Sequence, residues 1–237
     1  MRATGTLLGR VTRVLLLIGA ICASAHVTAA EPAVSQTVAA PAWRTTVRDF
    51  AAQHFRNPAW GYSHSARIYA LAHELAAADN VTIDDDVLYA AAYLHDMAAF
   101  APWAKEKVDH ADEATRVFAT VLDGTDFPMT KLEAVRGAIR THMFDRDPVG
   151  PEALYLHDAD TLDWLGAIGV ARVIALVDPN GGAPDGPTVV KMLDDNLVRV
   201  PGRVLSPAGR ARVAQRKLEL QQFLDNLRRE SDNLGNL

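Results

Sequence analysis

The stretch AAYLHDMAAF, residues 91–100, constrains the fold of this chain more than any other. Its run of alanines, aromatics and leucine predicts a helix buried on nearly every side, yet His95 and Asp96 stand together inside it. A buried imidazole beside a buried carboxylate needs partners, because desolvating either without compensation is costly. Those partners have to arrive from other segments.

Gly and Pro divide the chain into helix-length pieces with few runs of alternating β-branched residues, which predicts an all-α fold, a compact helical bundle. Helices are expected over about 43–55, 64–79, 84–99, 110–122, 130–143, 151–177, 187–199 and 206–230. Thr130 and Glu133 have the spacing of a capping box, Asp84, Asp85 and Asp86 suit a helix N-terminus, and Ser206-Pro207 reads as N-cap plus first turn. The segment DPNGGAPDGP, 178–187, is a loop.

The polar residues fall on the apolar faces. His64 is in register with Ile68, Leu71 and Leu75, whereas His73 points away. Val87, Leu88, Ala91, Leu94 and Ala98 make the third helix apolar almost all round, the natural centre of the bundle. Leu132, Val135 and Ile139 share a stripe with His142. In the 151–177 segment, Asp160 lies with Ala153, Leu156, Trp164 and Ala167, and Asp158 with Leu154, Leu162 and Leu165; periodicity does not choose between them, and Asp163 adds a third carboxylate. A divalent metal accounts for several helices each sending one His or Asp inward, since it supplies the charge that makes buried carboxylates tolerable. Mixed imidazole and carboxylate ligation favours Mn, Fe, Co or Ni over Mg or Zn.

The formal net charge of −5 argues against a nucleic-acid duplex or an anionic membrane surface as the main partner. Arg2, Arg10 and Arg13 precede VLLLIGAICASAHVTAA, the pattern of a secretory signal over 1–30, with cleavage after Ala25 or Ala30. Its removal takes the three arginines, no acidic residue, and the single cysteine, Cys22, leaving a formal charge of −8 and no thiol. The organisation expected is a cleaved signal, a linker over 31–42 and a helical domain over 43–237, exported to the periplasm or secreted, with no stable membrane span after processing.

His64, the pair His95-Asp96 and Asp160 follow the order H…HD…D that is similar to the HD-domain metal-dependent phosphohydrolases. YAAAYLHDMAAF, VDHADEA, AIRTHMF, LHDADTLDWLGAIGVAR and LSPAGRARVAQRKLELQQFL resemble successive segments of bacterial HD hydrolases of a nucleotide-pyrophosphohydrolase type, over roughly 43–230. The resemblance implies that His64, His95, Asp96 and Asp160 bind one or two divalent ions, with Ala159-Asp160-Thr161-Leu162 matching the ligand context and Asp158 and Asp163 in supporting roles. It implies a small phosphorylated substrate, a nucleotide or phosphoester, with Asp96, His110 and His142 as catalytic residues. His110 and His142 stand where some relatives bind a second metal or meet phosphate. Lys105, Lys107 and Arg140, near these motifs, are candidate phosphate clamps. Trp60, Tyr62, Phe100, Trp103, Phe144 and Trp164 are candidates to stack on a base or to complete the core. The alternatives are an HD-type di-iron oxygenase and a non-catalytic, metal-stabilised binding module.

Overall fold

The structure, a computed structural model, describes residues 41–237; the signal segment and the 31–40 part of the linker lie outside the described residues. Among the described residues the chain is helical throughout, without a strand. The helices are α1 (Ala42–His54), α2 (Tyr62–Ala78), α3 (Asp85–Leu94), α4 (His110–Val117), α5 (Ala119–Leu122), α6 (Leu132–Arg140), α7 (Pro151–Leu162), α8 (Gly166–Ile174), α9 (Gly186–Arg199) and α10 (Pro207–Glu230). None is long and apolar enough to cross a membrane.

Two helices are buried nearly all round. In α3 these are Val87, Leu88 and Ala90–Leu94; in α7 they are Ala153 and Tyr155 through Leu162. Around them α2 packs on both α3 and α7, α6 on both α3 and α7, and α1 on α3. Ala72, Ala76, Ala90, Ala91, Ala138 and Ala159 have essentially no exposed surface, and side chains this small let the helix backbones approach closely. A second apolar cluster, with Leu165, Val173, Val190, Leu193, Leu220 and Leu224, is built by α8, α9 and α10.

Local chemistry sets the ends. Asp84 caps α3 by accepting from the amides of Asp86 and Val87, while Arg44 and Lys131 bridge the acidic turn at 2.6–2.8 Å. Ser206 caps α10 through the Gly209 amide. The expected capping box is not formed. Lys131 occupies the N-cap after a 3-10 turn at Met129–Lys131, and Glu133 pairs with Arg136 at 3.1 Å.

Two boundaries differ in ways that matter for function. The third helix ends at Leu94, so His95 and Asp96 sit at its C-terminal edge before a 3-10 turn at Met97–Ala99. The expected 151–177 helix is two helices, broken at Asp163–Leu165, with Gly166 at φ +70° starting α8 on a new course. Glycines inside an apolar run do not reveal such a break, because they are also tolerated in buried helices.

Gly61 caps α2 where three chain segments meet, and a Cβ there falls 2.4–2.7 Å from backbone atoms of Phe55 and Asn57. Gly61→Ala is therefore expected to lower stability by about 1–3 kcal/mol, the usual cost of overpacking. Chemical denaturation measures it; an unchanged midpoint contradicts the contact.

Candidate metal centre

Four helices deliver the polar residues to one place. His64 comes from the first turn of α2, His95 and Asp96 from the end of α3, His142 from just beyond α6, and Asp160 from the last turn of α7. All five are buried. His110, the first residue of α4, completes the group, with 30% of its side chain exposed.

Three imidazoles are oriented in the same way. His64 Nδ1 is 2.8 Å from Asp163 Oδ2, His95 Nδ1 is 2.9 Å from the Ala92 carbonyl, and His142 Nδ1 is 2.6 Å from the Ile139 carbonyl. An oxygen behind each ring accepts the Nδ1 proton, which leaves a bare Nε2 on the other side. Those three Nε2 atoms are fully buried and have no hydrogen-bond partner. Each is aimed at carboxylate oxygens: His64 Nε2 is 3.1 Å from Asp160 Oδ1 and 3.8 Å from Asp96 Oδ2, His95 Nε2 is 3.0 Å from Asp96 Oδ2, and His142 Nε2 is 3.7 Å from Asp96 Oδ1. His110 Nε2 approaches Asp96 Oδ1 to 3.3 Å.

In the neutral rings a bare nitrogen faces carboxylate oxygen at these distances, out of water, and because both are acceptors a proton or a cation has to stand between them. It is the right arrangement around a cation. His64, His95 and Asp96 form one group with donor atoms within 4.8 Å of one another, and Asp96, His110 and His142 form a second. The donor set fits a divalent ion.

Proton competition has a direction at each group. Burial works against ionisation of Asp96, but His95 and His110 outweigh it and hold the carboxyl well below the usual carboxylate range. Burial also disfavours the charged forms of His95 and His110, yet Asp96 overcomes it and raises both above the ordinary value. His142 goes the other way: burial and the neighbouring His95 push it down to about 4. Asp160, despite burial, is held low by His64.

The three aspartates of the 151–163 run separate cleanly. Asp160 faces the cluster. Asp158 points elsewhere, accepting from the amides of Leu205 and Ser206 at 2.6–3.1 Å and so tying the start of α10 to α7. Asp163 sits behind His64, held at the same time by Arg67 at 2.9 Å.

A cavity of about 270 Å³ opens beside the cluster, with Asp96, His110, Asp160 and Arg172 as its polar lining and Trp60, Met143 and Trp164 among its apolar lining. The basic residues singled out in the sequence do not reach it. Lys105 pairs with Glu113, Lys107 is 87% exposed near Glu106, and Arg140 is exposed at the end of α6. They stand on loops and on an outward helix face, where proximity in sequence to a motif does not bring the side chain to the pocket. Arg172 does reach it; the only sequence signal was an arginine inside the apolar run GAIGVARVI. Of the aromatic residues, Phe100 stacks on Phe55, Trp103 packs on Phe50, Tyr62 on Tyr93, and Phe144 lies under Arg199.

Residues 61–165, which contain His64, His95, Asp96 and Asp160, match the HD domain family. No curated protein matches the chain. Among solved structures, a Lactobacillus plantarum protein is similar at 20% identity and a TM-score of 0.61, covering 81% of this chain and 98% of that one. Bacillus subtilis YpgQ in complex with ADP is similar at 18% identity and a TM-score of 0.58, covering 79% and 97%. An HD superfamily hydrolase from an uncultured Thermotogales bacterium is similar at 24% identity and a TM-score of 0.55, covering 79% and 90%. These likenesses show a shared fold.

Two outcomes are expected of metal binding. Because Asp96 raises His95 above the ordinary histidine value of about 6.5, a metal competes with a proton there, and affinity rises with pH through that region. Calorimetric Mn titrations between about pH 5.5 and 8.5 read the slope, and a flat profile contradicts it. Asp163→Ala removes the acceptor that fixes His64 and is expected to weaken Mn binding by about 10–100-fold, as loss of an orienting partner does.

Proposed function

We propose that this chain, whose residues 61–165 match the HD domain family, is a divalent-metal-dependent phosphohydrolase that cleaves a nucleotide or another small phosphoester with metal-activated water. The observation that carries this reading is the convergence of three unpartnered Nε2 atoms with Asp96 and Asp160 on the wall of a cavity. The ADP held by the similar YpgQ supports a phosphorylated ligand.

In this reading His64, His95, Asp96 and Asp160 hold the ion, and their mixed donors favour Mn, Fe, Co or Ni over Mg or Zn. Bound there, a divalent ion supplies Lewis acidity that lowers the pKa of water and polarises a phosphoryl oxygen. Asp96 turns one oxygen to His95 and the other to His110 and His142, so it is placed to bridge two positions, and the site takes one ion or two. His110 is partly open to the cavity and holds a proton more firmly than an ordinary histidine, which suits it to protonate the leaving oxygen as the P–O bond breaks. His142 has no such proton. Neutral down to about pH 4, with its Nδ1–H engaged, it serves as a nitrogen donor.

The basic, apolar N-terminal segment gives the chain the character of an exported protein, periplasmic or secreted, so its substrates are phosphorylated compounds outside the cytoplasm. Release of phosphate or pyrophosphate from a panel of nucleotides and phosphoesters, with Mn and the chain from residue 31 onward, tests the activity. His95→Ala and Asp96→Ala are expected to lower turnover by about 10³-fold or more while the helical circular dichroism persists. Turnover retained in either variant contradicts the assignment. Oxygen consumption with an iron charge-transfer band and no phosphate release favours the di-iron oxygenase instead; stabilisation by metal without any turnover favours the binding module.

A further inference from the structure

Arg172 is 2% exposed, which is rare for an arginine. Its Nε donates to the Ala59 carbonyl at 2.5 Å, and its guanidinium lies 4.0 Å over the Trp164 ring, so the plane of the group is fixed on two sides. Nη1 is buried and pairs with Asp163 Oδ2 at 3.2 Å, short of hydrogen-bond alignment. The Asp163 carboxylate already receives His64 Nδ1 and the Arg67 guanidinium.

Arg172 lines the cavity, and no other arginine or lysine is among the lining residues. Asp96 and Asp160 line the same space. The break before α8 creates this arrangement, since it turns the helix so that Arg172 comes back against Asp163 and the ring of Trp164. A fixed guanidinium plane suits an oxygen of a tetrahedral oxyanion, whose several acceptors tolerate a planar, directional donor.

We propose that Arg172 is the anion-binding arm of this cavity, its guanidinium donating to a phosphate oxygen of the ligand. The inference rests on the reading that the cavity takes a phosphorylated ligand, but not on hydrolysis. Trp164 and the Ala59 carbonyl hold the arm in place, so the ligand meets a donor that is already ordered.

The test uses inorganic pyrophosphate as the probe and calorimetry of the Mn-loaded full chain as the readout. At saturating Mn, Arg172→Gln is expected to weaken pyrophosphate binding by about tenfold or more; Arg172→Lys keeps the charge, loses the fixed planar geometry, and recovers part of the binding. Equal pyrophosphate affinity in wild type and Arg172→Gln overturns the proposal. If the Gln variant does not fold, crystals of the wild-type protein with Mn and pyrophosphate decide: an oxygen within hydrogen-bond distance of the Arg172 guanidinium supports the arm, and pyrophosphate seated out of its reach, or failing to bind at saturation, overturns it. Pyrophosphate held by Arg172 in a protein that hydrolyses nothing removes the hydrolase reading alone, and turnover with unchanged binding in Arg172→Gln removes the arm alone.

Discussion

His64, His95 and His142 each give the Nδ1 proton to an oxygen behind the ring and turn a bare nitrogen inward. Much of the surrounding structure follows from that requirement. Two of the three acceptors are main-chain carbonyls three residues earlier, at Ala92 and Ile139, so the last turns of α3 and α6 must end where they do for these rings to swing inward. The third is Asp163, a side chain that needs its own cationic support, and Arg67 provides it. Burial penalises the Asp163 charge, but His64 and the nearby arginines hold the carboxyl far below the usual range. Orientation of the imidazoles is thus built into helix ends and one ion-paired carboxylate, before any ligand arrives.

Packing supplies the second condition. Bringing residues from α2, α3, α6 and α7 within a few ångströms of one another requires helices that approach closely, and the alanines along α3 and facing positions of α2, α6 and α7 permit it. The polar residues interrupting those alanine-rich surfaces are the ones that meet. Buried charge elsewhere has a different job. Asp158 anchors the N-terminus of α10, and Asp79 accepts from the Ala208 amide at 2.9 Å close by, so the last helix is tied to α7 and α2 by carboxylates rather than by apolar contact alone.

The sequence carried the all-helical fold and most of the cluster. Inward registers placed His64, His95 and Asp96 correctly, and His142 too, although α6 stops at Arg140 and its ring is turned inward by the Ile139 carbonyl rather than by helical phase. The choice between Asp158 and Asp160 was not legible from periodicity, because α7 is buried all round and both residues are inside, on different sides. Only the resemblance singled out Asp160. The surface positions of Lys105, Lys107 and Arg140 were illegible for the opposite reason: loop conformation decides where such side chains go, and pattern does not encode it. Arg172 was hidden by a helix break that two glycines in an apolar run do not announce.

The cluster is also asymmetric in protons. Asp96 raises His110 above the ordinary histidine value at the cavity side, while burial and His95 push the wholly enclosed His142 down to about 4. The site stands or falls on the inward Nε2 atoms meeting a cation. Anomalous diffraction from crystals grown with Mn checks this. An anomalous peak is expected at about 2.0–2.3 Å from Nε2 of His64 and His95 and from oxygens of Asp96 and Asp160, the range of N and O ligands to such ions. Saturating Mn with no peak there, and waters filling the hydrogen bonds of the three imidazoles, would contradict it.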